Sequence, residues 1–237
     1  METVAEVLSA LKKKGSEQTR KTFARHGAPQ DSFFGVKVAD LKVIAKQIKG
    51  QQELACELYD SGNADAMYLA GLVADGALMT RRQLEGWARG ATWHMLSEYT
   101  VPWVVCESTH AHDLAMKWIG ARKELTASTG WCTYAGLLAL QPDDELDLSE
   151  IEQLLKRVVE QIDAAPNRVR YTMNGFVISV GTCVKPLLKQ ARDTAKQIGT
   201  VSVDSGETAC KVPLASEVIA KAEAAGRVGN KRKTIKC

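Results

Sequence analysis

The sequence predicts an all-α protein, and three observations carry that expectation. Apolar residues recur at helical spacing, β-type alternation is scarce, and the interruptions between apolar segments are short. Leu41, Ile44, Ala45 and Ile48 fall at i, i+3, i+4 and i+7, as do Ile151, Leu154, Leu155 and Val158, with Ile162 one turn further. Such spacing lays one apolar stripe along each helix. Similar segments run near Val4 to Lys14, Glu17 to His26, Gln51 to Asp60, Asp65 to Asp75, Arg82 to Arg89, His112 to Ala121 and Pro213 to Ala225. Thr200 to Val203 is the one short stretch that reads as strand or loop.

Punctuation falls at Gly15, Gly27-Ala28-Pro29, Ser61-Gly62-Asn63, Gly76, Pro142-Asp143-Asp144 and Ala165-Pro166-Asn167. Short connections make successive helices antiparallel neighbours. A dozen or so such helices build either a globule or a solenoid of stacked pairs, and no crisp repeat period decides between them. Ser149-Glu150-Ile151-Glu152 is expected to form a capping box before the strongest amphipathic helix. Gly199 to Lys211 reads as a loop, leading to a last helix that Pro213 starts.

The chain is expected to be one domain, 1–237, ending in a basic tail over 226–237. That tail carries Arg227, Lys231, Arg232, Lys233 and Lys236 and no acid. A formal net charge of +3 is too small to identify a nucleic-acid partner unless the charge is clustered. No apolar run approaches the roughly 20 residues a bilayer needs, and Met1-Glu2-Thr3 opens no secretory signal. The six cysteines form no C-x-x-C pair, so reduced thiols in a cytoplasmic protein, with no metal site, are expected.

Four segments hold residues with chemical potential. Phe33-Phe34-Gly35-Val36-Lys37 reads as a buried corner at a helix entry, where Lys37 could reach a phosphate. Trp93-His94-Met95-Leu96-Ser97-Glu98 continues through Tyr99 and Pro102 to Trp103, and gathers rings around one carboxylate. With α spacing, His94 and Glu98 share a face. Rings beside a carboxylate suit a cationic ligand, although core packing and an ordinary helix pair are the simpler account of them. Thr129-Gly130-Trp131 allows a close helix approach or an aromatic groove wall. Arg168 and Arg170 at a helix start suit a phosphate or carboxylate contact, since cations there oppose the dipole, and a solvated helix end accounts for them equally. His110 and His112 lack a ligand cluster and read as a solvated loop. No phosphate-binding Gly-rich loop, G-x-S-x-G or H-E-x-x-H occurs, which argues against nucleotide hydrolysis and the serine or zinc hydrolases.

Phe34-Gly35-Val36-Lys37 with Asp40 to Lys46, the Trp93 to Pro102 segment, Thr129-Gly130-Trp131 and Arg168 to Phe176 together resemble the DNA alkylation repair enzyme family, the AlkD-like, HEAT-like repeat alkylpurine DNA glycosylases. The stretches Asp204 to Pro213 and Gly229 to Lys233 are similar to one subgroup of it. The resemblance covers nearly the whole chain, although no single motif is diagnostic. It implies a HEAT-like/ARM-like helical repeat solenoid, an α–α superhelix whose concave face holds duplex DNA by its backbone.

Active relatives hydrolyse the N-glycosidic bond of cationic N3- or N7-alkylated purines, using an aspartate, two tryptophans and an arginine. The aspartate position falls here on Glu98. One tryptophan position falls on Trp93 or His94 and the other on Phe176. The arginine position falls near Tyr134, an apparent loss. The resemblance therefore implies a DNA repair protein with Glu98 as the catalytic candidate. Trp93, His94, Trp131 and Phe176 would line the DNA groove, and Arg168, Arg170, Lys231, Arg232 and Lys233 would hold phosphate. No cofactor is implied, and the expected partner is alkylated or distorted duplex DNA, bound by a monomer. A monofunctional DNA glycosylase is the first expectation. A non-catalytic HEAT-repeat protein that binds DNA structure, and a protein-interaction scaffold, are the alternatives.

Overall fold

The computed structural model describes residues 1–236, which contain thirteen α-helices, one π-helical turn and no β-strand. They form two compact units. The first spans 1–110 with 205–209 and 236, and the second spans 111–204 with 210–235.

In the first unit the helices are α1 (Val4–Lys14), α2 (Glu17–Arg25), α3 (Val38–Gln47), α4 (Gln52–Asp60), α5 (Ala64–Val73), α6 (Arg81–Gly90) and α7 (Val101–Val105). Their starts follow local chemistry. Thr3 and Glu6 make a capping box for α1, Thr80 and Gln83 make one for α6, and the Asn63 side chain accepts from Ala66 N–H at the start of α5. Residues Ala64 to Gly71 of α5 are all buried, so this helix forms the centre of the unit.

In the second unit they are α8 (Ala111–Ile119), α9 (Glu124–Leu140), α10 (Leu148–Gln161), α11 (Asn167–Cys183), α12 (Leu188–Ile198) and α13 (Ala215–Ala224). Helix α9 packs against both α8 and α11, and α11 also packs against α12 and α13. Ile151, Leu154, Leu155 and Val158 of α10 are buried, as their spacing predicts. At Gly130 a Cβ would collide with the main chain of Ile119 and Trp118, so this glycine sets the closest approach of α9 to α8.

Several local expectations are corrected. The N-cap of α10 is Asp147, whose carboxylate accepts from Glu150 N–H at 3.0 Å, so Ser149 lies inside the helix. Helix α13 begins at Ala215, after Pro213. His112 belongs to α8 and bonds Glu150 instead of lying in a loop. Thr200 to Val203 is loop. Among the described residues, Cys56, Cys106, Cys132, Cys183 and Cys210 are free thiols, and no cluster could hold a metal ion. No described helix is long and apolar enough to cross a membrane.

Candidate nucleic-acid interface

The Trp93–Trp103 segment is shaped by a missing donor. Pro102 has no N–H and cannot bond the carbonyl of Glu98 four residues earlier. The backbone from Leu96 to Thr100 is π-helical, and Val101 N–H bonds the carbonyl of Leu96, five residues back. Single π-turns recur at functional sites. The α spacing that put His94 and Glu98 on one face therefore does not govern this stretch.

Glu98 sits in the π-turn with only 6% of its surface exposed. Among the described residues, Asp65 and Glu98 are the only buried charged side chains. Asp65 serves the fold, because its carboxylate accepts from the N–H groups of Phe34, Gly35 and Val36 at 2.6, 2.9 and 3.1 Å. Burial raises its pKa, and those three donors pull the other way. It fixes the corner that ends in Lys37, where Gly35 adopts φ +80°, a left-handed conformation suited to glycine. Nothing in the sequence signals this role, because a lone aspartate in a helix's first turn resembles ordinary dipole compensation.

Trp93 is buried. Its Nε1–H donates to the carbonyl of His26 at 2.9 Å, and its ring packs on Phe23 and His94 with centroids 5.2 and 5.4 Å apart. His94 itself is half-buried.

In the second unit, Trp131 and Phe176 are both 0% exposed and pack on each other with centroids 5.1 Å apart. They form core, which corrects the expectation that they line a groove. Tyr134 donates to Glu150 Oε1 at 2.6 Å, and His112 Nε2 bonds the same oxygen at 2.7 Å. Burial and then the Glu150 carboxylate push the Tyr134 phenol upward. Sequence reasoning missed this cluster, since its members lie far apart along the chain.

The expected phosphate-holding residues divide into two groups. The Lys231 ammonium is 2.8 Å from Asp143 and donates to the carbonyl of Leu138 at 2.9 Å, so it anchors the tail and is corrected from a free phosphate contact. Arg232 N–H bonds the carbonyl of Ala139 at 2.7 Å, while the side chains of Arg232 and Lys233 are exposed. Arg168 lays its guanidinium 4.4 Å from the Tyr171 ring centroid. The Nε of Arg170 is buried and has no hydrogen-bond partner among the described residues. The second unit thus places Arg168 and Arg170 in the first turn of α11 and carries Arg232 and Lys233 on its surface.

A sequence profile of the DNA alkylation repair enzymes matches residues 7–198. The chain belongs to the DNA alkylation repair enzyme family. It is 37% identical over 209 residues to an uncharacterized protein of Listeria innocua, covering 86% of this chain and 90% of the relative. It matches an uncharacterized protein of Listeria monocytogenes to the same extent, 37% over 209 residues with the same coverage of 86% and 90%. Among solved structures it is similar to a member of a new family of proteins related to the HEAT-like repeat DNA glycosylases with affinity for branched DNA structures. That match has a TM-score of 0.90 at 39% identity and covers 99% of this chain and 100% of the other. The fold is accordingly a HEAT-like helical repeat.

Proposed function

We propose that the protein binds branched or distorted DNA through its backbone and does not excise bases. The observation that carries this reading is the complete burial of Trp131 and Phe176, which removes two of the rings expected to line the DNA groove. Trp93 supports it, since its one polar atom is engaged by His26. Family membership and the branched-DNA affinity of the structurally similar protein supply the partner class. Exposed Arg232 and Lys233 supply cations for phosphate. In this reading the protein acts as a monomer, and the free thiols among the described residues suit a reducing cytoplasm.

Fluorescence anisotropy with a four-way junction, a fork and a linear duplex, at several salt concentrations, tests this. Tighter binding to the branched forms, weakening steeply with salt, is expected. Equal affinity for all three sinks the structure-selective reading, and no binding at low salt would point to a protein-interaction scaffold.

A second reading keeps the glycosylase, because Glu98 is a buried carboxylate in a π-turn. There it would stabilise the oxocarbenium charge that develops as a cationic alkylpurine leaves. Release of N7-methylguanine or N3-methyladenine at enzyme excess, abolished in Glu98→Gln, would establish it in place of the first.

A further inference from the structure

The second unit contains a cavity of about 340 Å³ between the first turns of α9 and α11 and the last turn of α10. Its volume lies near the lower end of the roughly 300–1,000 Å³ of small-molecule sites. The buried apolar part of its wall comes from Ile119, Ala127, Val169 and Met173. Arg122, Glu124 and Glu160 place both signs of charge around it. Two of its polar walls are held in place. Glu124 Oε1 accepts from the main-chain N–H of Arg168 at 2.6 Å. Arg157 Nη2 donates to the carbonyl of Ile119 at 3.2 Å and its Nε to Gln161 at 2.9 Å. The cavity therefore offers a fixed apolar surface, carboxylate acceptors and guanidinium donors.

We propose that this cavity seats one unpaired nucleobase of a branched DNA, guanine in preference to the others. A flat ring suits the apolar wall. Guanine alone presents N1–H and an amino group for a carboxylate together with O6 for a guanidinium. A base already unpaired at a branch need not be pulled from a stack, so the site favours branched over fully paired DNA. The wall also carries the cationic side chains of Arg122 and Arg157, which suit the attached phosphates. The inference rests on the branched-DNA reading above.

The experiment compares a three-way junction carrying one unpaired guanine at the branch, the same junction with an abasic linker in that place, and a linear duplex. Ala164, exposed on the cavity wall in a short 3-10 turn, is replaced in a second arm by Ala164→Trp to fill the space. Wild type is expected to bind the guanine junction about tenfold tighter than the abasic one, the size of one base-stacking contact. Ala164→Trp is expected to bind both at the abasic level, with duplex affinity unchanged. Equal wild-type affinity for the guanine and abasic junctions overturns the inference and leaves branched-DNA binding standing. Equal affinity for junctions and duplex overturns the functional reading as well. The abasic comparison needs no variant, so it decides the matter even if Ala164→Trp misfolds.

Discussion

The Nε1–H of Trp93 donates to the main-chain carbonyl of His26, which caps the C-terminal end of α2. Helix-end carbonyls have no partner within their own helix, and a buried one left unpaired is costly. Trp93 therefore acts as a side-chain cap for α2 while its ring packs on Phe23. Trp93→Phe keeps a ring and removes the donor. It is expected to lower stability by about 1–3 kcal/mol in denaturant titration, with junction affinity retained once the variant is folded. Loss of DNA binding at unchanged stability would mean that Trp93 meets the ligand directly.

Pro102 and Glu98 are linked through the π-turn. Pro102→Ala restores an N–H that can bond the Glu98 carbonyl and so removes the local reason for i to i+5 bonding. A crystal structure of the variant is expected to show α-helical bonding through Leu96–Thr100 and a displaced Glu98 carboxylate. Persistence of the π-turn would show that packing, and not the missing donor, imposes it.

Two glycines in neighbouring helices should respond oppositely to alanine. At Gly130 the new methyl would meet the main chain of Ile119 and Trp118, so α8 and α9 must separate. A cost of about 1–3 kcal/mol is expected from such overpacking. At Gly175 a Cβ would meet nothing within 4 Å, so Gly175→Ala should stabilise by up to about 1 kcal/mol through helix propensity. Thermal unfolding of the two variants tests the contrast, and equal effects would contradict the packing described for Gly130.

How much of this was legible in the sequence depended on whether a helix has a solvent face. The stripe of Leu41 and Ile44 in α3 and that of Ile151 to Val158 in α10 were readable, because polar residues separate them. The segments that became α9 and α11 show no clean stripe, since each is packed on more than one side. The same fact hid the fate of the site. Trp131 and Phe176 look alike in sequence whether they floor a groove or fill a core. Only the neighbours brought in by α8, α10 and α13 decide, and no local spacing encodes them. Asp147 displaced Ser149 as the cap because either residue can begin a capping pattern, while the Glu150 side chain is held by Tyr134 and His112.

Alkaline pH should unfold the protein through its buried phenols. Tyr59 donates to the carbonyl of Trp87 at 2.7 Å and stacks on that indole, and burial pushes its pKa upward, as it does for Tyr134. The folded state holds these protons more tightly than the unfolded chain. Their stabilising effect is complete below the ordinary tyrosine pKa of about 10 and declines as pH rises above it. Phenolate absorbance from these two residues should appear together with the loss of helical circular dichroism. Free titration of all five tyrosines before unfolding would contradict their burial.

The cations proposed to hold DNA should separate from Lys231 in a salt titration. Lys231 is engaged by Asp143 and the Leu138 carbonyl, whereas the side chains of Arg232 and Lys233 are exposed. A lysine or arginine that neutralises a phosphate contributes about 0.9 to the slope of log affinity against log salt. Arg232→Ala and Lys233→Ala are each expected to reduce that slope by about 1 and to weaken all DNA forms alike. Lys231→Ala should instead lower thermal stability through loss of the Asp143 contact, with the slope unchanged. A slope that falls for Lys231→Ala and stays constant for the other two would reverse these assignments and move the phosphate path away from the exposed end of the tail.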